Sequence, residues 1–408
     1  MLILVITPTP LIDIVQFSDK QKSIALLLFA EAAGMSLWFM TAAVLPEIAR
    51  ESALPVERQA VLSSAVQLGF VAGALFVALT GVADRLDPRR VFALSAIAAA
   101  LSNLSLLVLP LGGNEAVFMR FLTGALLAGV YPVGMKIAVG WGTRDRGLLV
   151  GSLVGALTFG KSAPFLVAWL GGADWRLALG VVSVFAAAGG CLVLATRLGP
   201  AHAQAPSFRL SAIRLAWTDK SIRHAYLGYF GHMWELYVFW AWVAVAAAVS
   251  YGHHLSPGEA ESLGKLTAFL AIALGAPLCV VAGFLADRVG KAEVAITALL
   301  LSCAAGLLTA MNFGGPVWLT LLLILVWGAA IVPDSAQFSA LVADRSPPEL
   351  AGSLLTLQTA LGFLLTVFTV QAAPAAVAVA GWQGLFVILA LGPLLGAVAM
   401  LPLRRARG

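Results

Sequence analysis

Several residues that can carry a charge lie inside long apolar runs of this 408-residue chain, among them the following four. Glu31 and Glu235 are carboxylates, and Arg120 and Lys161 are cations. A charge at the centre of a bilayer costs roughly 2.5–3.5 kcal/mol on insertion scales, so each of these residues is a functional candidate. The carboxylates can take up and release protons, and the cations can bind an anion. The residue types therefore indicate proton and anion chemistry inside an apolar medium.

The surrounding sequence is too apolar for a water-soluble protein. Hydrophobic residues make up 61% of the chain and charged residues 11%, whereas a soluble domain carries about 25% charged residues. A membrane-spanning helix needs about 20 apolar residues, and the chain contains twelve such runs. We therefore predict an all-α membrane protein with twelve transmembrane helices, the last two of which are separated at 381–383.

The twelve runs fall into two halves that carry the same polar residues in the same order. The sequence TGVADR at 80–85 corresponds to GFLADRVGK at 283–291, and the pair Glu31 and Trp38 corresponds to Glu235 and Trp242. Internal repeats of this kind are typical of membrane transporters whose binding site lies between the halves. The sequence therefore predicts two pseudo-symmetric six-helix bundles.

Polar and basic segments set the domain boundaries and the orientation. We divide the chain into an N-terminal tail (1–21), a first bundle (22–197), a cytoplasmic linker (198–220), a second bundle (221–403) and a basic tail (404–408). With both termini in the cytoplasm, the inner loops and tails hold eighteen Lys and Arg residues and the outer loops three, which satisfies the positive-inside rule. The linker is predicted to carry a short amphipathic helix at 208–217.

The loop motifs resemble those of the major facilitator superfamily. The segment 283–291 resembles motif A of that family, of which 80–85 is a degenerate copy, and Arg120 with the following Thr123 and Gly124 resembles motif B. The stretch from Tyr131 to Lys161 resembles the nitrate-type and cyanate-type permease branch. The resemblance implies a transporter that works by alternating access. It also implies that the loop residues Asp84, Arg85, Asp287 and Arg288 latch the two halves together on the cytoplasmic side.

Proton coupling is assigned to charges that occur in both halves, because shared charges serve the shared machinery. Glu31 and Glu235 are the candidates, and Glu235 is favoured because His232 lies one turn before it and can share the proton. Asp334, next to Pro333, is the further candidate. The alternative is that these side chains make hydrogen bonds or salt bridges between helices.

Substrate binding is assigned to the cations that occur in the first half alone, because the residues at the corresponding positions of the second half are uncharged. Lys161 offers a point charge near the membrane centre, and Arg120 offers a planar fork that suits a carboxylate or oxyanion. Trp38, Trp242 and Tyr131 are predicted to complete the site. Arg120 has the alternative of a structural role.

We therefore predict a secondary active transporter of the bacterial inner (cytoplasmic) membrane. It would move a small organic or inorganic anion, coupled to protons by symport, and act as a monomer. The alternative is a proton-coupled efflux antiporter for drugs or metabolites. A nucleotide-binding loop and catalytic motifs such as HExxH or GxSxG are absent from the sequence, so we expect neither an enzyme nor ATP-driven transport. We expect no cofactor, no metal site and no nucleic-acid partner, and the three cysteines have no ligand spacing.

Overall fold

The computed structural model describes residues 18–142, 145–172, 174–200 and 209–404, with the backbone alone described at residues 83, 84, 146 and 348. These ranges contain helices and no strand. The predicted tail 1–21 is thus described only from residue 18, and the basic tail only at Arg404. The helices of the first half are α1 (Asp19–Met35), α2 (Met40–Ala43), α3 (Leu45–Ser52), α4 (Val56–Thr80), α5 (Val82–Arg85), α6 (Pro88–Leu104), α7 (Asn114–Leu127), α8 (Tyr131–Gly140), α9 (Arg146–Leu170) and α10 (Trp175–Leu192).

The second half begins with a short helix in the linker. Helix α11 overlaps the predicted amphipathic segment 208–217 and buries Ala212 and Ala216. The linker residues 201–208 lie outside the described ranges. The helices are α11 (Ser211–Thr218), α12 (Lys220–Tyr251), α13 (Pro257–Val289), α14 (Lys291–Met311), α15 (Val317–Ala330), α16 (Ser335–Arg345) and α17 (Pro348–Arg404).

Ten helical stretches of the described chain are long and apolar enough to cross a membrane. One of them is α17, whose 57 residues bend at Gly381, where φ is 68° and ψ is 180°. At 1.5 Å per residue this helix is long enough for two crossings, and the bend lies at the predicted separation. Because α1 to α3 supply one more crossing in short pieces, the helices are consistent with the twelve predicted spans.

The fourth span of each half is interrupted beside a proline. In the first half α7 ends at Leu127 and α8 begins with Pro132 in its first turn. In the second half α15 ends at Ala330 and α16 begins after Pro333. Proline removes a backbone donor and clashes with the preceding turn, which explains both interruptions. The internal repeat of the sequence therefore extends to the shape of the helices.

The first span is interrupted at 36–39 without a proline. Helix α1 ends at Met35, and the chain passes through turns at 36–39 before α2 begins at Met40. The corresponding span of the second half, α12, is continuous from Lys220 to Tyr251. The interruption at 36–39 is therefore a property of the first half that the repeat does not share.

Candidate functional site

Lys161 connects the two halves of the chain. It lies on α9 with 2% of its surface exposed, and its Nζ donates a hydrogen bond of 2.5 Å to the Tyr237 hydroxyl of α12. This partner is a phenol, and within the described chain no carboxylate is hydrogen-bonded to the Lys161 side chain. Lys161 is thus a buried basic residue at the junction of the halves.

Three aromatic rings surround the Lys161 ammonium and form what we call the aromatic cage. The ring centroids of Trp38, Tyr237 and Trp240 lie 4.3, 4.8 and 5.1 Å from Nζ. A cation over an aromatic face is stabilised by about 2 kcal/mol when both are shielded from water. Trp38 comes from the first half, and Tyr237 and Trp240 come from the second, so the cage closes only when the halves meet.

Further phenylalanine rings extend the cage on both sides. Phe70 and Phe363 lie 5.0 and 5.4 Å from the Trp38 ring, centroid to centroid, and Phe39 lies 5.7 Å from Trp240. These distances are typical of favourable tilted and edge-to-face contacts. Their rings come from α4, α17 and the interruption of the first span. The ammonium therefore lies among aromatic surface contributed by both halves.

Glu31 lies on α1 near Lys161 and is fully buried. Neither of its carboxylate oxygens has a hydrogen-bond partner within the described chain, and Lys161 is the cation that acts on it electrostatically. On α8, Gly134 leaves room for the carboxylate, because a Cβ at that glycine would lie 2.5 Å from Oε2 of Glu31. A buried carboxylate without donors gains from binding a proton.

Glu235 is held very differently from Glu31, although the two correspond in the repeat. Ser302 of α14 donates a 2.7 Å hydrogen bond to Oε1, and the indole of Trp327 of α15 donates a 3.1 Å hydrogen bond to Oε2. Both carboxylate oxygens are therefore satisfied by side chains of neighbouring helices. This arrangement favours the structural alternative for Glu235, and it shows that corresponding sequence positions differ in their surroundings.

His232 lies next to Asp334 and Ser335, which corrects the expectation that it would share a proton with Glu235. Its Nδ1 lies 2.9 Å from Oδ1 of Asp334, and its Nε2 lies 3.0 Å from the Ser335 hydroxyl. Both residues lie at the start of α16, where the fourth span is interrupted beside Pro333. His232 therefore contacts residues at the start of α16, although Glu235 lies one turn away along α12.

Arg120 lies at the interrupted first span, fully buried. Its guanidinium donates to the carbonyls of Leu37 and Trp38 at 3.2 and 2.7 Å, and to the Asn103 side-chain oxygen at 2.9 Å. No carboxylate pairs with it in the described chain. Its hydrogen bonds favour the structural alternative. One of its partners, Trp38, also contributes a ring to the aromatic cage.

The remaining predicted site residues occupy other positions. Trp242 is buried, but it is Trp240 that faces the Lys161 ammonium, and Tyr131 opens α8 half-buried. Sequence reasoning missed Tyr237 and Trp240. The first span is interrupted at 36–39, so Trp38 does not keep the register of a continuous helix. For this reason Trp242, which corresponds to Trp38 in the repeat, is not a member of the cage.

Three of the four predicted latch residues are exposed. Arg85, Asp287 and Arg288 lie at the surface and make no ion pair within the described part of the chain, and the side chain of Asp84 lies outside it. Gly290 of the same motif has a φ of 111°, which glycine adopts without strain. Their latch role stays a prediction.

Ion pairs join the two halves at the helix ends opposite to the predicted latch residues. Glu47 of α3 pairs with Lys265 of α13, both buried, and Arg50 pairs with Glu261 on the same two helices. Deeper in the membrane region, the Gln371 amide donates a 3.0 Å hydrogen bond to Ser64. The two halves are therefore joined by ion pairs on the side away from the motif A loops.

Comparisons with known proteins agree with this architecture. The family model described as Major Facilitator Superfamily matches residues 26–255. A solved nucleoside transporter, NupG, superposes with a TM-score of 0.70 over 93% of this chain and 99% of its own, at 16% identity. A D-xylose–proton symporter superposes with a TM-score of 0.70 over 92% and 97%, at 16% identity.

A relative of known name matches part of the sequence. A protein named gallate transporter, from Pseudomonas putida, is 28% identical over 166 residues, which span 37% of this chain and 36% of that protein. The match thus covers about a third of either protein, whereas the family model covers more than half of this chain. The helical architecture, the repeated halves and the family match together place this chain in the Major Facilitator Superfamily, as a membrane transporter.

Proposed function

We propose that this transporter moves a small organic anion whose negatively charged group binds Lys161 between the two halves. The observation that carries the proposal is the buried ammonium, whose described hydrogen bond goes to a neutral hydroxyl. A buried cation is stabilised most by an anion that also fills its remaining hydrogen bonds. The substrate would bring that anion, and its arrival would draw the two halves around it.

The aromatic cage supports an anion that carries a flat ring. The Trp38, Tyr237 and Trp240 rings surround the ammonium, and a substrate ring that entered beside it would stack on them, with stacked or edge-to-face aromatic pairs contributing about 0.5–1.5 kcal/mol beyond their buried area. The partial match to a protein named gallate transporter supports the same class, because gallate is an aromatic carboxylate. We therefore infer an aromatic carboxylate as the substrate class.

We propose Glu31 as the residue that carries the coupling proton. It lies in the first half with Lys161 and lacks donors in the described chain, so its charge and the substrate anion compete for the same cation. Protonation of Glu31 would free Lys161 for the substrate, which links proton and anion movement in the same direction. His232 and Asp334 form a second protonatable pair, and we keep them as candidates for a later step.

We propose a location in the bacterial inner membrane with both termini in the cytoplasm. The excess of Lys and Arg in the loops on the side of the termini supports this orientation. Asp84, Arg85, Asp287 and Arg288 lie on that side, and we propose that they latch the halves when the opposite side opens. A monomer suffices for this cycle, because both halves of the site belong to one chain.

Uptake into proteoliposomes tests the proposal. The panel contains radiolabelled gallate, benzoate, cyclohexanecarboxylate and nitrate, each measured with and without a proton gradient that is acidic outside. The control residue is Lys136, a half-buried lysine on α8 of the same half. We expect accumulation of gallate and benzoate that requires the gradient and is lost in Lys161→Met but retained in Lys136→Met. Retention of uptake in Lys161→Met contradicts the site. Gradient-driven export from loaded vesicles supports the efflux antiporter instead.

A further inference from the structure

The interrupted first span leaves two buried carbonyl groups without backbone partners. Around the interruption, backbone N–H groups bond to the carbonyls of Ala32, Gly34 and Met35, and no described backbone donor reaches those of Leu37 and Trp38. Unpaired buried carbonyls are costly, so they require side-chain donors or water. Both accept hydrogen bonds from Arg120 instead.

Arg120 is itself held by a chain of buried side chains. Its Nη1 donates to Oδ1 of Asn103 on α6 at 2.9 Å, and Nδ2 of Asn103 donates to the Ser183 hydroxyl on α10 at 2.9 Å. The Ser183 hydroxyl in turn donates to the Leu179 carbonyl at 2.8 Å. Because the guanidinium is planar and its donors are fixed in space, this chain sets where the carbonyls of the interruption lie.

The second half lacks both the interruption and the cation. Helix α12 runs unbroken through 240–243, which correspond to 36–39 in the repeat. The residues that correspond to Arg120 are apolar, at 321–324. The cation and the interruption thus occur together in one half and are absent together from the corresponding segments of the other. This joint occurrence indicates that the two features are linked.

We propose that Arg120 is a positioning residue that holds the first span open at 36–39 and thereby places the Trp38 ring against the Lys161 ammonium. The Trp38 carbonyl binds Arg120 at 2.7 Å, while the Trp38 ring lies 4.3 Å from Nζ of Lys161. A continuous helix would carry residue 38 in a different direction. Asn103 and Ser183 act through Arg120, and none of the three needs to touch the substrate.

Fluorine NMR on the full-length protein labelled with 5-fluorotryptophan tests this inference without a substrate, so its outcome is separate from that of the proposed function. Trp38→Phe assigns the Trp38 resonance, and Trp327→Phe assigns a reference in the second half. The test variants are Arg120→Lys and Asn103→Ala. The matched control is Asn312→Ala, because Asn312 makes a similar amide-to-hydroxyl hydrogen bond of 3.0 Å to Thr320.

We expect the Trp38 resonance to shift by more than its linewidth, or to broaden, in Arg120→Lys and Asn103→Ala. It should stay in place in the control, and the Trp327 resonance should stay in place throughout. If Arg120→Lys does not fold, Asn103→Ala decides. An unmoved Trp38 resonance in the folded variants overturns the inference, and so does an equal movement of Trp38 and Trp327, which would indicate a general loss of structure.

Discussion

The Lys161 ammonium and the Tyr237 hydroxyl are joined by a 2.5 Å hydrogen bond across the two halves of the chain. Lys161 belongs to α9 of the first half and Tyr237 to α12 of the second. A carboxylate that reached this point could accept from both groups at once, because the tyrosine hydroxyl can turn and donate. Under the proposed function, one pair of side chains would thus combine substrate recognition with the closing of the halves.

Removal of the Tyr237 hydroxyl should weaken substrate binding and leave the fold intact. A hydrogen bond to a charged group contributes about 1.5–3 kcal/mol, so Tyr237→Phe should raise the dissociation constant of gallate roughly tenfold or more. Tyr226→Phe is the matched control, since its hydroxyl on the same helix donates to the Leu354 carbonyl. Isothermal calorimetry in detergent measures both, and equal affinities in the two variants contradict the assignment.

Neutralising Glu31 should uncouple transport, whereas neutralising Glu235 should mainly affect stability. Glu31 lacks donors within the described chain, while Glu235 is bonded by Ser302 and Trp327. In proteoliposomes Glu31→Gln should exchange substrate at a rate near that of the wild type but fail to accumulate it when a proton gradient is applied. Glu235→Gln should still accumulate it. The reverse pattern would return the coupling role to Glu235.

The two ion pairs between α3 and α13 should differ widely in their contribution to stability. The side chains of Lys265 and Glu47 are 7% and 5% exposed, whereas those of Arg50 and Glu261 are 57% and 28% exposed. Breaking a buried pair costs about 3–5 kcal/mol, and an exposed pair contributes about 0–1 kcal/mol. Thermal melting in detergent should therefore show a far larger loss for Lys265→Met than for Arg50→Met. Similar losses would mean that Lys265 is not buried against Glu47.

The outer end of the first bundle should show a pH-dependent stability. The Arg176 guanidinium, and after it the Trp175 indole, bind the Glu51 carboxylate and lower its pKa from 4.5 to about 2. A lowered folded-state pKa stabilises the protein at pH above the unfolded value, and that stabilisation is lost as the pH falls through the folded value.

Glu51→Gln makes this pH dependence measurable. The melting temperature of the wild type should exceed that of Glu51→Gln by a constant margin above about pH 4.5, the ordinary value of the group. The margin should shrink as the pH falls toward 2. A margin that is unchanged between pH 6 and pH 3 would show that the Glu51 carboxylate is not ionised in this contact.

Much of the fold follows from the sequence, because lipid leaves few solutions for an apolar chain. The apolar runs predicted the membrane spans, and the repeated loop motifs predicted the two halves. Proline explained the interruptions beside Pro132 and Pro333. The interruption at 36–39 was not foreseen, since it contains no proline and its carbonyls accept hydrogen bonds from Arg120, more than 80 residues further along the chain.

Lys161 and Trp38, both named from the sequence, lie together in the aromatic cage, whereas Tyr237 and Trp240 were not named. Lys161 could be found because a lysine in an apolar run has few explanations. Tyr237 and Trp240 could not, because α12 carries aromatic residues on several faces and the sequence does not show which face meets the first half. The repeat misled at Trp242 and at Glu235, since it conserves position in the bundle but not the neighbouring side chains.

Equilibrium binding of gallate, benzoate, cyclohexanecarboxylate and nitrate by purified protein tests the central claim most directly. The account predicts that the two aromatic carboxylates bind the wild type and Lys136→Met with similar affinity. It predicts that Lys161→Met binds neither of them, although its melting temperature shows a folded protein. An aromatic carboxylate that binds folded Lys161→Met with the affinity of the wild type would contradict the account.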